Sequence, residues 1–224
     1  MTEHQHDGGT DESTAAQLWD ERYSSRVKVW SGRPNPQLLA EASELPPGRA
    51  LDLGCGEGAD AIWLASRGWT VTALDVSAVA LERAAAHARE TGHTGKIEWV
   101  QQDLATWVPE RLYELVTAQF LHSTLMPWQQ ALQLAAAAVR TGGTLLVVGH
   151  HPEGLPPWGN HHSGNHHPIE KYFTAEEAAR ELGIEAPEWH VDVLESRRRS
   201  ATGPDGEAAG LTDAVLRATR LAAR

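Results

Sequence analysis

The sequence predicts an α/β fold, a Rossmann-like, doubly wound sheet of seven mostly parallel strands. Three observations predict it. Short apolar runs alternate with helix-spaced apolar stripes through the middle of the chain. The first run is closed by Gly54, Gly56 and Gly58, a turn tight enough for a ligand to approach where any Cβ would block it. The second run ends on an acid, Asp75, which suits a ribose diol because both hydroxyls can donate to one carboxylate. Strand, glycine turn, helix, strand, acid is the order expected of a nucleoside-cofactor site at the carboxyl ends of a parallel sheet.

The elements follow in order. Ala16, Trp19 and Tyr23 share one face of a first helix, and a loop at 31–36 leads to a short helix through Leu38 and Leu39. Residues 13–46 thus form a helical cap or lid ahead of the sheet. Strands are predicted at 50–53, 70–74 and 97–100. The helix between the first two carries Ile62, Leu64 and Ala65 and stops at Gly68. Ser77 caps the next, in which Ala78, Leu81, Ala85 and Ala88 repeat at three and four. A fourth strand spans 115–120. The stripe Trp128, Ala131, Ala135, Ala138 makes a helix that Gly142 and Gly143 end, and a fifth strand spans 144–148. A histidine-rich loop fills 149–170. Thr174 and Glu177 form a capping box, and strands at 190–195 and 214–219, joined by a turn at 203–206, complete seven.

The totals fit one domain over 13–224 with a disordered tail at 1–12, which has almost nothing to bury. An apolar content of 41% supplies a substantial core. No apolar run is long enough to span a membrane. The start lacks the basic and apolar regions of a signal peptide, and a single cysteine, Cys55, excludes an internal disulfide, so a cytoplasmic protein is expected. A formal charge of −11 argues against a nucleic-acid partner, which needs a basic face. The basic run Arg197-Arg198-Arg199 is expected to decorate a strand end. Oligomeric state is left open.

The spacing Gly54-x-Gly56-x-x-Ala59 also fits a dinucleotide fingerprint. Three features favour S-adenosylmethionine over NAD: Gly58 extends the loop, Asp52 lies within the preceding strand where it could stabilise a cationic amine, and Asp103 closes a third apolar run. The ordered series LDLGCGEG, VTALDVS, VQQDL, YELVTAQFLH and TGGTLLVVGH resembles the class I S-adenosylmethionine-dependent methyltransferases over nearly the whole chain. The opening residues 19–23, with Trp30-Ser31-Gly32 and Pro34-Asn35, are similar to the tellurite-resistance and thiopurine-type small-molecule branch. The resemblance implies an antiparallel last strand. It implies that Gly54, Gly56 and Gly58 line methionine and ribose, that Asp75 takes the ribose, that Val76 covers an adenine face, that Asp103 and Leu104 meet the adenine edge, and that Gln119 meets the methionine part.

Methyl transfer from a sulfonium is an in-line displacement, so the protein mainly aligns and excludes water. The acceptor is expected to be a small molecule. His122, just past the fourth strand, is the candidate general base, with a structural histidine as the alternative. Tyr23, Trp30 and Arg33 are candidate lid residues, since aromatic rings suit a cationic sulfonium. His150 and His151 begin a loop holding six of the twelve histidines within eighteen residues; a mobile substrate lid is the preferred reading and a metal site the alternative. A non-catalytic cofactor-binding or metal-sensing module, and an NAD-dependent oxidoreductase, are the rival functions.

Overall fold

The structure is a computed structural model and describes residues 14–26, 29–123, 125–155, 157, 172–203 and 206–222. The tail at 1–12 lies outside the described residues, as do His161, His162, His166 and His167 of the histidine-rich loop.

Five strands, β1 (Arg49–Leu53), β2 (Thr70–Asp75), β3 (Ile97–Gln101), β4 (Tyr113–Gln119) and β5 (Val139–His150), are joined to β6 (Trp189–Thr202) and β7 (Ala208–Arg220) in one seven-stranded sheet. Its order is β3-β2-β1-β4-β5-β7-β6. The first five strands pair parallel, and β7 runs antiparallel to both β5 and β6, as the resemblance implied. Order reverses between β1 and β4, so the crevice for a ligand lies over the carboxyl ends of these two strands.

Each face of the sheet has its own apolar layer. On one, Leu51, Leu53, Val116, Leu145 and Val147 pack with α5 (Trp128–Ala137) and α6 (Ala175–Glu181). On the other, Ala50, Leu115, Leu146 and Val148 pack with α2 (Pro36–Ala42), α3 (Ala59–Ser66) and Ala88 of α4 (Ala78–Thr91). Leu38 and Leu64 are fully buried there, and burying such a leucine contributes about 1.5–3 kcal/mol.

The helix starts follow local chemistry. Thr14 and Gln17 form a reciprocal capping box for α1 (Ala15–Ser24), Asn35 caps α2 with Pro36 at its first turn, and Ser77 caps α4. Three expectations are corrected. Gly142 and Gly143 do not end α5, which stops at Ala137; they lie inside β5, where Gly142 has φ +73° and the ladder to β4 shifts register. The last two strands are about twice their expected length, 14 and 13 residues. The basic run sits within β6 and not at its end. Arg197 pairs with Glu41 and Glu195, and Arg199 with Asp213 at 2.7 Å.

Candidate active site

The glycine turn after β1 is held from both sides. Cys55 donates its amide to the Leu74 carbonyl at 2.9 Å, which ties the turn to β2. Asp75, at the end of β2, accepts from the Gly56 amide at 2.8 Å and from the Ser77 amide at 2.9 Å. Each carboxylate oxygen thereby keeps a lone pair for a further donor. Burial pushes the Asp75 carboxyl upward, partly offset by those amides. Gly54, Gly56 and Gly58 all have positive φ, at 68°, 53° and 82°. Their open sides differ. A Cβ on Gly56 would meet the Tyr23 hydroxyl at 2.9 Å, and one on Gly54 would meet Leu121. A Cβ on Gly58 would meet Trp99 and Ala84, so its missing side chain lets the start of α3 pack closely there.

A polar row crosses the sheet beneath α2. Asp52 is buried and accepts from the Thr117 hydroxyl at 2.9 Å through Oδ1. Gln119, two residues beyond Thr117, accepts from Asn35 Nδ2 at 2.8 Å, and the Asn35 amide donates to Asp60 at 2.6 Å. Among the described residues, four buried side-chain atoms lack a hydrogen-bond partner: Asp52 Oδ2, Gln119 Nε2, His150 Nδ1 and Asp213 Oδ1. All four project from one face, on successive strands. Asp52 stands opposite Thr117, Gln119 opposite Val148, and His150 opposite Asp213, with alternation along β4 and β5 carrying the same face from one rung to the next. Orphaned buried polar atoms are costly unless a ligand or water meets them. Burial, and then the nearby charge of Asp60, holds the Asp52 carboxyl well above the usual carboxylate range, and burial pushes Asp60 up to about 6. Two raised acids side by side fit a cation. With the amide donor of Gln119 they match the ammonium and carboxylate of a zwitterion, the methionine end of the expected cofactor.

Past the row, the strand ends bring aromatic rings together. Phe120 has φ +50° and is the described non-glycine residue with positive φ, a sparsely populated conformation that recurs at functional sites. Its ring lies 4.5 Å from His150, and the Arg199 guanidinium lies 5.5 Å from its centroid. His122 stacks on His150 at 5.5 Å and meets Tyr172 edge-on at 5.3 Å. His122 Nε2 accepts the His150 backbone amide at 3.2 Å, so the neutral ring carries its proton on Nδ1. Burial and the Arg199 charge push the His150 imidazole down to about 4, which keeps it neutral.

The cap closes the near side. Tyr23 is buried, and its hydroxyl accepts from the Trp30 indole at 2.9 Å directly over Gly56. Glu57 accepts from the Trp30 amide at 3.1 Å and pairs with Arg83 at 3.0 Å. Asp20 accepts from the Ser77 hydroxyl at 2.6 Å, so α1 is tied to the start of α4. Trp30 is 47% exposed and stacks against Arg22. Arg33 is exposed, and its amide donates to Ser31 at the surface; the structure does not bring it to the site. Glu57, Asn35, Asp60 and Asp20 escaped the sequence reading. Only the Asn35-Pro36 helix start was a local signal; the others show their role through long-range contacts.

The remaining expected residues are spread. The Gln102 amide donates to the Asp75 carbonyl at 2.9 Å, which holds the loop after β3 near the ribose acid. Val76, half-buried beside it, accepts from Gln101. Asp103 is exposed and accepts from the Ala105 amide in a turn, and Leu104 is buried in the core layer. His151 accepts from the Glu153 amide and caps a single 3₁₀ turn, apart from the ring cluster. Burial pushes the Cys55 thiol well up, which suits a small packing residue.

Comparison with known proteins bears on this geometry. Residues 50–143 match the methyltransferase domain family. The chain is 30% identical over 184 residues to 2-heptyl-1-hydroxyquinolin-4(1H)-one methyltransferase of Mycobacteroides abscessus, covering 78% of this chain and 74% of that protein. It is 36% identical over 101 residues to thiocyanate methyltransferase 1 of Brassica oleracea, covering 44% and 45%. For several curated relatives the chain spans only 40 to 60% of their length. Among solved structures it superposes on the N-methyltransferase NodS from Bradyrhizobium japonicum, in complex with S-adenosyl-L-homocysteine, with a TM-score of 0.62 and 20% identity over 89% of this chain and 96% of that one.

Proposed function

Since the chain belongs to the class I S-adenosylmethionine-dependent methyltransferases, we propose that it transfers a methyl group from S-adenosylmethionine to a small-molecule acceptor by in-line displacement. One observation carries this reading. The orphaned Asp52 Oδ2 and Gln119 Nε2 lie on one face of two neighbouring strands at the order-reversal crevice, where the methionine ammonium and carboxylate would supply the missing donor and acceptor. Asp75, with Gly56, stands where the ribose would follow.

The sulfonium supplies the electrophilic methyl group. Asp52 and Gln119 orient the methionine end, Asp75 takes the ribose, and the loop through Val76 and Asp103 lies toward the adenine. Tyr23 and Trp30 exclude water over Gly56, and an aromatic face there favours a cation. His150 and His122 face the acceptor side. For His122 to act as a base at Nε2 it must release the His150 amide, so the base role belongs to a state in which that hydrogen bond has opened. Saturating cofactor with two acceptors differing mainly in pKa tests it. His122→Ala should cost about a hundredfold in turnover for the high-pKa acceptor and much less for the ionised one; equal losses assign His122 to positioning.

The acidic balance supports small-molecule acceptors over nucleic acid, and no helix among the described residues is long and apolar enough to cross a membrane. A cytoplasmic setting is part of the same reading. Calorimetric titration with S-adenosylmethionine, S-adenosylhomocysteine and NADH tests the cofactor. An acceptor screen reporting S-adenosylhomocysteine release, with mass detection of product, tests transfer. Binding of NADH alone overturns the proposal, and cofactor binding without transfer to any acceptor favours a non-catalytic module.

A further inference from the structure

The following rests on the methyltransferase reading above. The cofactor's methionine end matches two of the four orphaned atoms and leaves the other two. His150 Nδ1 and Asp213 Oδ1 stand opposite each other in the β5–β7 ladder, on the same face as Asp52 and Gln119 and further along the row. A carboxylate oxygen only accepts, so whatever meets Asp213 Oδ1 must bring an N–H or O–H. A neutral imidazole can accept or donate. The nearest cation is already engaged: Arg199 donates Nε to the other Asp213 oxygen at 2.7 Å and lays its guanidinium against Phe120. Gln37, from α2, donates to that same oxygen at 3.2 Å. The rung is therefore a locally neutral, donor-seeking site and not a cationic pocket. One flank is aromatic, with Phe120, His122 and Tyr172 at 4.5, 5.5 and 6.2 Å from the His150 ring.

We infer that the His150–Asp213 rung is the polar anchor of the methyl acceptor, and that the acceptor is a flat aromatic or heteroaromatic ring bearing an O–H or N–H. A ring of this kind stacks on the aromatic flank and supplies the donor the rung lacks. A small inorganic anion supplies none. A tricarboxylate sets like charge against Asp213, whose neighbouring guanidinium, Arg199, is already paired.

The test uses the full chain saturated with S-adenosylhomocysteine and titrated calorimetrically with 4-hydroxyquinoline, quinoline, thiocyanate and trans-aconitate. Either tautomer of 4-hydroxyquinoline carries one donor, and quinoline carries none. The hydroxylated ring should bind at least about tenfold tighter than quinoline, with the two anions weaker than both. In the double variant His150→Leu with Asp213→Leu the two rings should bind within about threefold of each other while S-adenosylhomocysteine affinity stays unchanged. Equal or absent binding of the two rings by the unmodified protein, or tighter binding of either anion, overturns the inference without need of a variant. A ring preference kept in the folded double variant overturns it as well. Failure of the unmodified protein to bind S-adenosylhomocysteine is a separate outcome that removes the parent reading instead.

Discussion

Asp52 and Asp60 store a proton that a bound cation should expel. Burial raises both carboxyls, with Asp60 near 6, and a methionine ammonium between them would favour the ionised forms. Binding of S-adenosylhomocysteine at pH 6 should therefore release protons. Calorimetry in buffers of different ionisation enthalpy should show an enthalpy that depends on the buffer, and Asp52→Asn should reduce that dependence. His150 gives the opposite sign. Its folded pKa, pushed down to about 4, lies below its unfolded value, so its contribution to stability is present above pH 6.5 and lost as pH falls toward 4. The groups facing it are Arg199, Asp213, His122 and Tyr172. The full shift corresponds to about 3 kcal/mol at about 1.36 kcal/mol per pH unit. Denaturant unfolding from pH 7 to 4.5 should show a steeper loss in the parent than in His150→Gln. The glycine turn and the strand that ends on Asp75 were legible because each is a local pattern, a glycine series and a mostly apolar run. His150 was visible as a histidine but not as a buried one, since its burial comes from Phe120, Arg199 and Tyr172 on other elements.

Among the elements, α1 and the segment through Trp30 act as a strap across the glycine turn. Glu57 holds the Val29 and Trp30 amides, Asp20 holds the start of α4, and Tyr23 lies over Gly56. Adding S-adenosylhomocysteine should slow amide exchange at Tyr23 and Trp30. Glu57→Ala should speed exchange at Trp30 and weaken cofactor binding about tenfold, since a buried charged acceptor for two amides and Arg83 is lost. Equal exchange with and without ligand counts against a lid. The first helix was legible from its aromatic stripe, but the hydrogen bonds that Glu57 and Asp20 make there were not. The strands show the same division. β1 and β2 announced themselves as short, mostly apolar runs, the first closed by Gly54 and the second following Gly68 and ending on Asp75. β5 did not, because Gly142-Gly143 is a stop signal in one dimension and a bulge in three. β6 looked short because its partners are distant: Arg197 meets Glu41, 156 residues away, and a strand whose arginines face buried acids reads as a polar tail.

At the scale of the molecule, cofactor affinity and stability should be coupled. The cap, the glycine turn and the polar row belong to three separate parts of the sheet assembly, and a ligand touching all three binds only the folded chain. The thermal midpoint should rise with S-adenosylhomocysteine, with stabilisation of about 2.7 kcal/mol at a hundred times the dissociation constant. A midpoint independent of ligand would show that the ligand does not bind the folded state. Among the described residues the sheet order also leaves β6 as an outer strand of 14 residues with one side unpaired. Long open edges invite another chain to add a strand and begin aggregation, and proteins discourage this with charge. Here Glu195 is followed by three consecutive arginines from Arg197, so guanidinium groups project to both faces of the exposed edge while two of them are anchored to Glu41 and Asp213. The ion pairs that fasten β6 to the rest of the fold thus also set charge along its outer edge.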